Sequence, residues 1–239
     1  MISKALLILF GSATALSTNN TLDCDVLILG GSLSAVSAAI TASRSFPDLH
    51  VCLTEPTDWP GGQFTSSGVS APDFGLLNRN AANLPETFND LIKAASSPNL
   101  NYKCWVSTVC LMPNVVFQNY IEPTLKALPN LTLLTRSVVK KVNVDGLNNI
   151  VSATIISRSP ISSSEEWTWL FSAEVDDWYS TQPSFHYNKE VIEVFADVFI
   201  EATEFGDVLA LLSSVADINV TTGVERPSEF STEADSNCG

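Results

Sequence analysis

Residues 27–40, LILGGSLSAVSAAI, restrict the fold of this chain more than any other stretch. The continuous Val, Ile and Leu run in CDVLILGG is the pattern of a strand covered on both faces. After the glycine pair, SLSAVSAAITASR places apolar residues at Leu33, Val36, Ala39 and Ile40, a helical stripe that ends before Pro47. HVCLTE is a second short strand. Strand, glycine turn, helix and strand make one βαβ unit over residues 24–60, and its parallel crossover implies an open α/β sheet.

The turn has the spacing of a dinucleotide-binding loop. In such loops the first glycine permits a tight turn, the second lets the main chain approach a diphosphate, and the third lets helix and strand pack closely. Those positions are Gly30, Ser32 and Ala35 here, with Gly31 as a flexible neighbour. Serine adds only a Cβ and a hydroxyl, and the hydroxyl can donate to a phosphate at the positive end of the helix. A plain strand-to-helix turn without a ligand reads the same way.

Glu55 tips the balance. It closes the second strand 25 residues after Gly30, near the distance at which an acid meets the ribose hydroxyls of an adenine nucleotide. A carboxylate there repels a 2′-phosphate, so FAD or NAD is favoured over NADP; the alternative is a strand-end glutamate facing water. Next comes TEPTDWPGGQFTSSGVSAPD, with a second glycine pair, Gly61-Gly62, where a nicotinamide-binding domain would run straight into its next helix. Bare backbone of this kind can pass close over a bulky ligand such as a flavin. It equally suits a surface loop.

Composition bounds the rest. A chain of 239 residues that is 45% apolar buries a real core, and nothing repeats at a solenoid period. MISKALLILFGSATALSTNN has one cation, a short apolar run and Ala13-Thr14-Ala15, so residues 1–17 read as a secretory signal peptide and the mature chain as secreted, with no membrane span after cleavage. Asn19, Asn130 and Asn219 then head glycosylation sequons. The net charge of −14 lies entirely after residue 160: the first 160 residues hold ten acids and ten bases, the remainder sixteen acids and two bases. Such a surface repels a phosphate backbone, which excludes nucleic acid as a partner.

Among five cysteines, Cys104 and Cys110 in YKCWVSTVC are the expected disulfide, Cys24 and Cys52 are expected as buried thiols in strands, and Cys238 lacks an evident mate. With two histidines and no CxxC pair, no metal site is expected.

Three segments, DVLILGGSLSAVSAAITASR, LTEPTDWPGGQFTSSGVSAPD and VFIEATEFGDVLAL, together resemble the FAD-dependent oxidoreductase family with the glutathione-reductase type of FAD domain, including its xanthan-lyase-like secreted members. They span residues 25–212 in the family's order. The resemblance implies a Rossmann-like parallel sheet with a β-meander and a helical insertion, forming an FAD-binding domain over residues 23–239. It implies that Gly30, Gly31, Ser32 and Ala35 cradle the pyrophosphate, and that Glu55 holds the adenosine ribose. Gly61, Gly62 and Gln63 would lie along the flavin side, and Val139 would meet adenine through its main chain, an ordinary core valine being the alternative. Ala202, Thr203, Gly206 and Asp207 match the segment that returns to FAD. The third strand, Leu131 to Leu134, and a meander that includes IVSATIISR and VFADVFIE fall within about 130–212. Family members usually run far longer, so this chain is expected to be an N-terminal fragment.

Two excursions remain. Residues 80–129 carry helix-like stretches near Glu86 to Ala95 and Asn114 to Leu128. Residues 161–190 mix Trp167, Trp169, Trp178, Tyr179 and His186 with acids, and either line a substrate pocket or pack down as surface anchors. Asp176, Asp177 and His186 are the acid/base candidates, and none is assigned a catalytic role. The expected function is electron transfer from an unidentified small-molecule or carbohydrate-like substrate to FAD; the competing readings are a non-catalytic secreted α/β protein or truncated flavin fold without turnover, and a NAD-binding dehydrogenase domain.

Overall fold

The computed structural model describes residues 20–69, 71, 84–95, 110–161 and 171–216. Its centre is a six-stranded sheet of order β3-β2-β1-β6-β5-β4. β1 (Asn20–Leu29) pairs in parallel with β2 (Val51–Thr54) on one side and with β6 (Tyr187–Glu201) on the other, and β3 (Leu131–Leu134) extends the parallel half beyond β2. β4 (Ser137–Val144), β5 (Ile150–Pro160) and β6 form an antiparallel meander. At 15 residues, β6 is long enough to serve both halves, bonding β5 on one edge and β1 on the other. The sheet is therefore mixed, and its parallel part is Rossmann-like.

Helix α1 (Leu33–Ser45) crosses from β1 to β2 with Ala35, Val36, Ala39 and Ile40 buried, the stripe its apolar spacing dictates. It shares a core with Val26, Ile28, Val51 and Leu53 of the sheet and with the helices that lie between β2 and β3. Those are α2 (Glu86–Ala95), α3 (Pro113–Val116), a π-helical turn (Phe117–Ile121) and α4 (Glu122–Lys126). The opposite sheet face packs Leu27 and Leu29 against Val139, Val142, Ala153 and Ile155 of the meander and against Val208 and Leu212 of α6 (Asp207–Ser213). Helix α5 (Phe171–Trp178) belongs to the excursion between β5 and β6.

Cys24 and Cys52, expected as thiols, form a disulfide that joins neighbouring strands β1 and β2 with a Cα separation of 6.1 Å. The 28-residue βαβ crossover brings them to one sheet face, and closing a loop of that length stabilises the fold by about 3–4 kcal/mol. Cys110 is also disulfide-bonded, while Cys104 and Cys238 lie outside the described residues.

At the Asn130 sequon the side-chain amide donates to the Leu49 carbonyl at 2.8 Å and to those of Ser43 and Phe46 at 3.3 Å. A glycan on that nitrogen would leave it one N–H for these three carbonyls. Asn19, Asn219 and the 1–17 segment lie outside the described residues. Among the described residues, no helix is long and apolar enough to cross a membrane.

Candidate cofactor site

The C-terminal ends of β1, β2 and β6 open onto one cleft of about 630 Å³. Its location follows from the topology: helices leave the sheet at that edge, so their N-terminal amides and the strand-end side chains converge there. Gly30, Gly31 and Ser32 line it from the first turn; Thr54, Glu55, Pro56 and Thr57 from the second strand end; Ser137, Val138 and Val139 from β4. Gly62, Gln63, Ser66 and Ser67 close it from the second glycine loop, and Thr203, Glu204 and Asp207 from the end of β6.

The first turn is built by close approach. Gly30 has φ +108°, and a Cβ there would stand 2.4 Å from the Ala202 carbonyl oxygen, so only glycine lets β1 and the end of β6 meet. Its N–H donates to Thr54 Oγ1 at 2.8 Å. A Cβ on Gly31 would stand 1.6 Å from Glu55 Oε2. Gly31 is thus what allows the acid to reach the turn. Ser32 is the N-cap of α1, its hydroxyl accepting from the Ala35 N–H at 3.2 Å and sharing a 2.8 Å hydrogen bond with the Ser34 hydroxyl. Among the described residues no hydrogen bond is made by the Ser32, Leu33 and Ser34 N–H groups, so they can meet an anion.

Glu55 is 2% exposed, and its Oε1 accepts both the Thr57 N–H and the Thr57 hydroxyl at 2.6 Å. Oε2 accepts no hydrogen bond from the described residues. Burial, opposed by the two Thr57 bonds and reinforced by the charges of Glu204 and Asp58, raises the Glu55 pKa to about 7. Burial also raises that of Glu204. The cleft-lining carboxylates are Glu55, Glu204 and Asp207, and among the described residues no lysine or arginine lines the cleft. The main-chain amides and the α1 dipole are the groups on this wall that favour an anion.

The glycine loop is tied to the first turn by the Gly61 N–H, which donates to the Gly31 carbonyl at 2.7 Å. Trp59 stacks on Phe117 with centroids 5.1 Å apart, anchoring the loop to the π-helical turn. On the β6 side, Glu201 accepts from the N–H and hydroxyl of Thr203 and from the Val208 N–H, fixing the start of α6.

Nine of the thirteen sequence-derived site residues line this cleft: Gly30, Gly31, Ser32, Glu55, Gly62, Gln63, Val139, Thr203 and Asp207. Four do not. Ala35 is wholly buried and packs α1 on the sheet, Gly61 meets Ile121 and Thr65, Ala202 presents its carbonyl to Gly30, and Gly206 is the N-cap of α6. They shape the cleft from behind.

Of the acid/base candidates, Asp177 pairs with Lys189 at 2.7 Å, Asp176 is exposed, and neither they nor His186 lines the cleft. Trp167 and Trp169 lie outside the described residues, whereas Trp178 and Tyr179 do line it. Glu204 and Phe205 were missed by sequence reasoning, although they sit inside the quoted ATEFGD segment.

Comparison with solved structures returns similar folds at low sequence identity. THI4 from Thermovibrio ammonificans matches with a TM-score of 0.50 and 15% identity, over 82% of this chain and 64% of that one. Adenylylsulfate reductase from Archaeoglobus fulgidus gives 0.47 and 13%, over 82% and 33%, and E. coli quinol fumarate reductase FrdA with the E245Q mutation gives 0.46 and 11%, over 77% and 33%. The chain thus spans from about a third to just under two thirds of these structures. Curated proteins return no match. The FAD dependent oxidoreductase family matches residues 25–165, more than half of the sequence, and the chain belongs to that family, whose cofactor is FAD.

Proposed function

We propose that this chain is the cofactor-binding part of a secreted flavoprotein oxidoreductase of the glutathione-reductase type, and that FAD lies with its adenosine diphosphate half in the cleft just described. The observation that carries this is the meeting of α1's amide-bearing N-terminus with a buried carboxylate that keeps one oxygen unbonded. The residues fit the cofactor. The diphosphate rests on the Gly30–Ser32 turn, and Glu55 Oε2 accepts the ribose hydroxyls. β4 is an edge strand with a register shift between Val139 and Lys141, so its main chain offers a donor–acceptor edge to adenine.

When bound, FAD supplies the capacity to take two electrons from an organic substrate. The chain's own residues bind the cofactor, orient it along the strand ends and keep water from its adenosine half. Glu55 acts as hydrogen-bond acceptor in its ionised form; repulsion of a 2′-phosphate by Glu55 and Glu204 favours FAD over phosphorylated dinucleotides. A small-molecule substrate is proposed without a named catalytic side chain. The disulfide between Cys24 and Cys52 supports an oxidising compartment.

The test is the visible spectrum of the purified chain. Flavin bands lost on denaturation, with release of FAD, are expected. A colourless protein that FAD cannot reconstitute would overturn the reading and leave a non-catalytic α/β scaffold.

A further inference from the structure

The excursion between β5 and β6 is not needed to close the sheet, yet two buried cations fix its end. Lys189, with a side chain 1% exposed, aims Nζ at the C-terminus of α5. It donates to the carbonyls of Asp177, Ser180 and Gln182 at 2.5, 2.9 and 3.2 Å and to Asp177 Oδ1 at 2.7 Å. A cation there satisfies orphan carbonyls and opposes the negative end of the helix dipole.

Arg158, 3% exposed, lies with its guanidinium carbon 4.0 Å from the centroid of the Trp178 ring. Its Nη2 donates to the Pro56 carbonyl at 2.6 Å; Nε and Nη1 have no hydrogen-bond partner, and no carboxylate among the described residues pairs with it. Burying a guanidinium so incompletely bonded is costly, so its stacking on the indole is a main contact. On the far side, the Tyr179 hydroxyl donates to Asp207 Oδ2 at 3.2 Å, tying α5 to the start of α6.

These contacts hold two adjacent aromatic side chains, Trp178 and Tyr179, in the cleft wall beside Pro56, Val138 and Val139. That is the end to which the FAD reading assigns adenosine, by its proximity to Glu55 and to the free edge of β4.

We propose that Trp178 and Tyr179 are the aromatic wall of an adenine subsite, and that Arg158 and Lys189 are positioning residues that hold this wall. The proposal rests on the FAD reading and adds what selects the base. A purine offers an indole more stacking surface than a pyrimidine does, so the wall makes the cleft discriminate between nucleotides sharing one diphosphate.

The experiment uses the full chain freed of flavin, titrated calorimetrically with ADP and with UDP. The wild type is expected to bind ADP at least tenfold more tightly. Trp178→Ala should bring the ratio close to one by weakening ADP, while Trp178→Phe, which keeps a ring at the position and guards against mere misfolding, should retain most of the preference. Arg158→Met and Lys189→Met should lower the same ratio, and should also reduce the quenching of the Trp178 component of indole emission by ADP, defined by difference against Trp178→Phe.

Equal affinities in the wild type, or an unchanged ratio in Trp178→Ala, would overturn the wall. A chain that takes up FAD yet shows either result loses only this proposal; one that prefers ADP but never takes up FAD keeps the wall and loses the flavoprotein reading.

Discussion

Two strand ends in this molecule carry the same device with different consequences. At the end of β2, Glu55 accepts from the N–H and hydroxyl of Thr57; at the end of β6, Glu201 accepts from the N–H and hydroxyl of Thr203. Both are Glu-x-Thr corners that turn a parallel strand out of the sheet. The difference is in the second carboxylate oxygen. Glu201 Oε2 accepts from the Val208 N–H at 2.8 Å and is committed to the start of α6. Glu55 Oε2 has no such partner and faces Gly31, whose missing side chain makes room for it. One corner is finished by the fold, whereas the other keeps an oxygen without a donor among the described residues, the one the proposed FAD placement uses.

The largest expected effect separates the two corners by affinity. If FAD lies as proposed, Glu55→Arg removes two charge-assisted ribose hydrogen bonds, each contributing about 1.5–3 kcal/mol, and so should weaken FAD at least about a hundredfold. Glu201→Gln should weaken it less than tenfold, since Glu201 does not line the cleft. Flavin-fluorescence titration of both variants checks this; equal losses would erase the distinction.

The next effect is a pH dependence carried by the unfinished corner. Glu55 titrates at about 7 in the folded chain against 4.5 for the free group, so the folded state holds this proton more tightly. Its favourable contribution is complete below pH 4.5 and is lost as pH rises through 7, about 3 kcal/mol in all. Glu204, shifted in the same direction by burial, adds to the trend. Urea unfolding of the flavin-free chain should show higher stability at pH 5 than at pH 8, with most of the difference gone in Glu55→Gln.

Stability should move the other way between the corners at neutral pH. Glu201→Gln places an amide where three donors converge, and should cost about 2 kcal/mol, read as a lower urea midpoint. Glu55→Gln should cost less, because neutralising it relieves the burial of a charge.

The comparison also explains what could be read from the chain. The place of Glu55 in the cleft was legible because its position after the second strand and its distance from Gly30 follow from βαβ geometry. Glu201 was not, since the same residue type at the end of a strand has no sequence mark that tells a helix-anchoring carboxylate from a ligand-binding one. Ala35 and Gly61 were assigned to the ligand because they fall in the motifs, but motif spacing cannot separate residues that touch a ligand from those that let others do so. The Cys24–Cys52 bridge was hidden for a related reason: pairing depends on strand register, and continuous apolar runs do not reveal which residues of β1 and β2 face each other. Trp178, at the end of α5, reached the cleft through buried contacts with Arg158, a residue 20 positions earlier on β5, and no local pattern encodes that.

The smallest effect tests how the first turn meets its ligand. If the Ser32 hydroxyl were an essential phosphate donor, Ser32→Gly would cost much of the FAD affinity. The hydroxyl instead accepts from the Ala35 N–H and is shared with Ser34, the arrangement of a helix cap. Glycine replaces a serine cap at a loss of only a few tenths of a kcal/mol, whereas alanine costs about 1 kcal/mol. Ser32→Gly should therefore leave both thermal stability and FAD affinity nearly unchanged, with Ser32→Ala the less stable of the two. A large loss of FAD affinity in the glycine variant with an unchanged melting temperature would assign the hydroxyl to the phosphate and make the first turn, like Glu55, a corner left open for the ligand.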